Sequence, residues 1–172
     1  MAFKQVGSVG GEEAPILRRE TLANSITSIL GQALIATSGF AALGTTGTLI
    51  LGHLRAHSTL LGVGLNTTGA AGAEMGTYVG TYLTASDNQT VGKVKAEIDI
   101  SKETMYSADP DVAIATTTGS NLVGYHTDIA DASLTDESTA ATTTAQYFIW
   151  GVDANDSGNQ VVSIYESVVF GV

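Results

Sequence analysis

From Lys93 to Ile100 the chain alternates without a break: Lys93, Lys95, Glu97 and Asp99 are charged, and Val94, Ala96, Ile98 and Ile100 are apolar. A period of two predicts a β-strand with one wet and one buried face. The alternating signs of the charges suit pairing with neighbouring strands. Shorter apolar runs bounded by Gly, Asn, Asp and Ser predict further strands at Ser58–Leu65, Thr77–Thr84, Thr104–Ala108, Leu122–Asp128, Gln146–Asp153 and Gln160–Phe170. The last two, joined by residues 153–159, are the strongest hairpin signal and hold the single Trp150. Thr21 to Leu34 is ambiguous. Leu22, Ile26, Ile29, Leu30 and Leu34 fall near a helical stripe, but Asn24, Ser25, Thr27, Ser28 and Gly31 are poor helix-interior residues. The segment reads as short strands punctuated by Gly31, Ser38-Gly39 and Thr46-Gly47.

Composition points the same way. Only 14% of the 172 residues are charged, against about 25% in a typical domain, and the neutral polar remainder includes 23 Thr, 14 Ser and 20 Gly. Thr fits a pleated sheet and Gly weakens helix interiors. The expected fold is therefore all-β, a small antiparallel β-barrel or sandwich with an extended N-terminal arm. Residues 1–14 read as that arm, flexible because Gly7, Gly10 and Gly11 loosen it and nothing periodic is available to bury. Residues 15–172 read as one β-rich domain with exposed loops near 66–76 and 135–145.

Charge narrows the partners. All seven Lys and Arg lie in residues 1–102 beside seven carboxylates, so residues 103–172 carry the whole net charge of −10. That half would repel a phosphate backbone, which argues against nucleic acid. Leu22 to Leu51 is uncharged and longer than the roughly 20 residues that cross a bilayer. Asn24, Gln32 and the Gly44–Gly47 cluster interrupt it, so no membrane span is expected. With no cysteine, neither disulfides nor thiolate zinc are available. The first residues carry no long apolar run before Glu12 and Glu13, unlike a secretory signal.

Motifs for chemistry are sparse. Neither Ser8 nor Ser120 has the glycines of a nucleophile elbow, Gly92-Lys93 lacks the rest of a phosphate loop, and Gly62-Val63-Gly64 lacks the third glycine of a dinucleotide fingerprint. No catalytic residue, metal ligand set or cofactor is expected. His53 and His57 would share a metal only on a helix, with His126 the remaining imidazole, and they read as polar residues on a sheet rim. Asp153, Asn155, Ser157 and Gly158 open like a calcium loop, but the closing Glu would fall at Ile164, so a turn is the simpler reading. Asp109-Pro110-Asp111 reads as a turn, and Asp128, Asp131, Asp136 and Glu137 as a solvated acidic face. Aromatic residues are only 6%, which leaves no visible sugar platform for a paired-carboxylate glycosidase.

One run of short motifs is Ala23-Asn24-Ser25, Leu30-Gly31-Gln32-Ala33-Leu34-Ile35, Ser38-Gly39-Phe40 and Leu49-Ile50-Leu51-Gly52. A second is Ile98-Asp99-Ile100, Thr104-Met105-Tyr106, Val123-Gly124-Tyr125 with Asp128, and Phe148-Ile149-Trp150-Gly151-Val152-Asp153. In this order of elements the chain resembles the small all-β decoration, or cement, proteins that bind the outside of tailed-bacteriophage capsids. The resemblance covers roughly residues 15–65 and 90–172. The stretch 66–89 departs from the compact pattern.

The resemblance implies a structural virion protein on the outer capsid surface, not an enzyme. Its partners would be the major capsid protein and further copies of itself, as trimers in preference to dimers. Phe3, Lys4 and Val6 of the arm, with Arg18 and Arg19, are the expected contacts, although the two arginines read equally well as solvated charges at a strand end. An arm ordering on a lattice would make contact depend on assembly, and loss of residues 1–14 should then leave a folded chain that no longer binds. A self-assembling tail or fibre component and a small sugar- or calcium-binding β module are the competing readings.

Overall fold

The structure, a computed structural model, describes residues 2–11, 16–23, 26, 28–59, 82–83, 94–113, 122–139 and 146–165. Thirteen strands fill them: β1 Lys4–Ser8, β2 Leu17–Thr21, β3 Ser28–Ile29, β4 Ala33–Thr37, β5 Phe40–Leu43, β6 Ile50–Thr59, β7 Tyr82–Leu83, β8 Val94–Asp99, β9 Thr104–Pro110, β10 His126–Asp131, β11 Leu134–Asp136, β12 Tyr147–Val152 and β13 Gln160–Ile164. Among the described residues the only helical element is a 3₁₀ turn at Glu137–Thr139, and no helix is long and apolar enough to cross a membrane. The all-β expectation holds. The predicted loops at 66–76 and 140–145 and most of the strands at 58–65 and 77–84 lie outside the described residues.

One sheet runs β1-β9-β11-β10-β12-β13, and a further β9–β13 pairing closes its last five strands into a barrel. All its pairings are antiparallel except β9 with β11, where Leu134 sits opposite Asp109 and Thr135 opposite Pro110. Asp109-Pro110 is thus the end of a strand rather than a turn. The last two strands form the predicted hairpin, in register from Tyr147↔Ile164 to Val152↔Gln160.

The second sheet runs β2-β8-β6-β4-β5 and curls until its edges meet at a Leu22–Ala41 bridge. Its turns are the ones the sequence marks: φ is positive at Gly31, Ser38, Gly39 and Gly47. Ser38-Gly39, with both residues left-handed, makes the two-residue hairpin whose twist matches its strands. The ambiguous segment before it is β3 and β4, as predicted, and not a helix.

Each sheet has its own core. Tyr106, Ala108, Ile129, Tyr147, Ile149, Val162 and Ile164 fill the barrel, joined by Phe3 and by Ala33, Ile35 and Ile50 from the second sheet. Leu22, Leu34, Ala41, Leu51, Leu54, Ala96, Ile98 and Ile100 pack together in the second.

The N-terminal segment is extended, as expected, but residues 4–8 are not a loose arm. β1 pairs with β9 from Lys4↔Ser107 to Ser8↔Thr104, and Phe3 is only 3% exposed. Two contacts outweigh the glycines there: backbone pairing with β9, and a buried site for Phe3 between the sheets. Similarly, the loop expected at 135–145 begins as strand, with Thr135 fully buried in β11.

Candidate functional site

Local register decides where β6 sends its side chains. Opposite β4 the pairs are Ile35↔Ile50, Leu34↔Gly52 and Ala33↔His53, so Leu51 is one residue too many. This bulge turns His53 to the side of Ala33 and Ile50, toward the barrel. Gly52 is required beside it, because a Cβ there would sit 2.3 Å from the Asp99 carbonyl oxygen and 2.5 Å from Ile98 Cγ2. The expectation of a rim histidine is therefore corrected: His53 is fully buried. The side chain of His57 lies outside the described residues.

Around His53 the two sheets assemble a polar and aromatic cluster. The Tyr147 hydroxyl lies 2.8 Å from His53 Nε2, and the rings of Tyr106 and Phe3 lie 3.9 Å and 4.8 Å from the imidazole. Phe3 also stacks on Tyr147 at 5.2 Å. Tyr106 donates a 2.7 Å hydrogen bond to Asp99 Oδ2, whose Oδ1 accepts from the Ser101 amide. Asp99 belongs to the predicted wet face of β8, yet it is fully buried because at that end the face abuts the barrel instead of water.

Electrostatics follow from burial. Loss of water, aided by the Arg55 charge, pushes His53 down to about 3, so the imidazole is neutral at ordinary pH. Burial, then the Asp99 charge and hydrogen bond, hold Tyr106 far above the usual tyrosine range. Burial does the same for Tyr147, which keeps its proton. The cluster borders a cleft of about 770 Å³ whose wall includes Phe3, Lys4, Leu30, His53, Arg55 and Tyr106. The turn at Gly31 shapes it: φ there is +88°, and a Cβ would strike the Phe3 carbonyl oxygen at 2.3 Å.

The residues expected to make contacts are dispersed. Lys4 and Val6 are exposed on β1 and Arg18 is exposed on β2, hydrogen-bonded through Nε to Glu20. Arg19 lies opposite Glu97 in the register, its side chain outside the described residues. Phe3, 3% exposed, faces the core and the cleft and not the outer surface.

Nor is the acidic half uniformly solvated. Asp128 is buried, accepting from the amides of Gly47 and Ile129, and desolvation raises its pKa. Asp111, Asp136 and Glu137 bring oxygens within 4.8 Å of one another, and burial together with Asp111 raises Glu137. Asp153 behaves as the turn reading expects: its carboxylate accepts from the Asn155 amide. Hydrogen bonds from Ser107 and Asn155 lower its pKa, with a smaller contribution from the Lys4 charge.

Sequence reasoning missed an aromatic patch on the outer wall of the barrel. His126 and Phe148 are register partners with rings 5.7 Å apart, Phe148 meets Trp150 at 4.7 Å, and His126 meets Tyr165 at 4.0 Å. Trp150 and Tyr165 are 41% and 42% exposed, and Tyr125 and Val123 nearby are exposed as well. Trp150 is held by a 2.9 Å hydrogen bond from its indole nitrogen to Ser163 Oγ. The available signal was the outward parity of Phe148 and Trp150 against the inward Tyr147 and Ile149, but pairing with His126 and Tyr165 needs the barrel. No protein-family model, no curated protein and no solved structure matches this chain.

Proposed function

We propose that this chain is a structural virion protein that binds the outer surface of an icosahedral phage capsid and reinforces contacts between major capsid protein subunits, acting as an oligomer, preferably a trimer. The observation that supports this best is the patch on the barrel wall formed by exposed Tyr125, Trp150 and Tyr165 with half-buried His126 and Phe148. Trp and Tyr dominate the energetics of protein contacts, since they carry large area with few rotatable bonds. Repetition over a lattice multiplies such a modest contact. The contact surface thereby moves from the arm to the barrel, leaving Lys4, Val6 and Arg18 as peripheral candidates.

The test is co-sedimentation of the purified chain with capsids that lack it, followed by imaging of the particles. Wild type should saturate regular positions, and Trp150→Ala should weaken binding at least tenfold with an unchanged thermal midpoint. Absence of regular binding, or full binding by both Trp150→Ala and Tyr165→Ala, would refute the reading. The same aromatic side chains also suit stacking on sugar rings, so glycan binding by the isolated chain, lost in Trp150→Ala, is the second reading.

A further inference from the structure

The cleft beside Phe3 has a composition that a purely structural role does not use. Its wall is largely apolar, contributed by Ile29, Leu30, Leu54 and the rings of Phe3 and Tyr106, while Lys4 and Arg55 supply the positive charge. Among the described residues Arg55 makes no ion pair. Deep in the same wall is His53, whose Nδ1 is buried without a hydrogen-bond partner among the described residues. Burying a polar nitrogen without a partner is unfavourable, so the site gains from any partner that reaches it.

The hydrogen-bond roles can be assigned. Tyr147 is fully buried, and among the described residues its hydroxyl hydrogen-bonds with His53 Nε2 alone, at 2.8 Å. The hydroxyl therefore donates to Nε2, and the neutral ring carries its hydrogen on Nδ1. The orphaned group is a donor. The neighbouring carboxylate, Asp99, is already engaged by Tyr106 and Ser101. Lys4 is partly balanced by Asp153, which leaves Arg55 as the main positive charge on the cleft.

We propose that this cleft is a binding site for a small amphipathic carboxylate, with its hydrocarbon part against Phe3, Leu30 and Leu54 and its carboxylate set between Arg55 and the imidazole of His53. A volume of about 770 Å³ falls within the usual range for small-molecule sites. Mostly apolar walls with a few convergent polar groups are the common pattern of such sites. The site lies on β1, β6, β9 and the turn after β3, away from the aromatic patch, so it stands or falls independently of capsid binding.

Octanoate and its uncharged analogue octanol are suitable probes for the full chain, read by calorimetry and by the ¹⁵N resonances of the His53 ring. Octanoate should bind saturably at one site and shift the Nδ1 resonance. Octanol and the Arg55→Gln variant should each show affinity reduced about tenfold or more, and Leu30→Trp should block the cleft. If Leu30→Trp fails to fold, the octanol and Arg55→Gln arms still decide. No saturable octanoate binding at millimolar concentration, equal binding of octanol, or undiminished binding by Arg55→Gln would each overturn the proposal.

Discussion

The two cores of this protein are built from different materials. The core of the curled second sheet is aliphatic: Leu22, Leu34, Leu51, Leu54, Ile98 and Ile100 meet with no polar atom to satisfy. The barrel core carries Phe3, Tyr106 and Tyr147, and at its junction with the sheet it encloses His53 and Asp99 as well. An aliphatic core is tolerant, since its stabilisation scales with area and no single geometry is obligatory. A polar network in a low-dielectric interior is demanding, because each unmet partner is costly. The junction is thus where a single change should have specific consequences, and it is also where the cleft lies.

Acid should separate the two cores strongly. His53 titrates at about 3 in the folded chain and near 6.5 when unfolded, so the unfolded state binds the extra proton between those values. Stability contributed by the neutral imidazole is complete above pH 6.5 and is lost as pH falls toward 3, on the order of 5 kcal/mol in full. Urea unfolding at pH 7, 5 and 4 should show a steep loss in wild type and a flatter one in His53→Phe. Equal slopes would mean that the buried histidine does not govern acid stability.

Next in size, Phe3→Ala removes a ring packed between His53 and Tyr147 and should cost about 3–5 kcal/mol. Loss of residues 1–8 should go further and prevent folding, in contrast to the behaviour expected of a loose arm. Circular dichroism on both variants decides this, and a native spectrum from the truncated chain would restore the arm. Tyr106→Phe leaves the buried Asp99 carboxylate without its hydroxyl donor and should cost about 2 kcal/mol. Smallest is Ile98→Val in the aliphatic core, at about 1 kcal/mol. Its loss should be the same at pH 7 and pH 4, which is the sharpest contrast with His53.

Much of the architecture was readable along the chain. The alternation through Val94–Asp99, the turn residues Gly31, Ser38-Gly39 and Gly47, and the final hairpin are local signals, and each element appears where its signal stands. The site was much less legible. His53 read as a rim residue from its polarity; even alternation counted forward from Ile50 would put it outward, and only the extra residue at Leu51 reverses that parity. Asp99 read as solvated because its charge fits the wet face of β8, while the barrel that covers it comes from residues more distant in the chain. Phe3 read as a contact residue because residues 1–14 carry no period of their own, and nothing local in them shows that β9 awaits them.

By itself, then, the amino-acid sequence determined strand content, turn positions and the charge division between the halves, since φ preferences and side-chain period act over a few residues. Tertiary structure decided which polar side chains are dry, which aromatics share a surface and whether the first residues are held. Those outcomes depend on bulges that flip a strand's facing and on sheets closing over one another, and neither is written in any local run of residues.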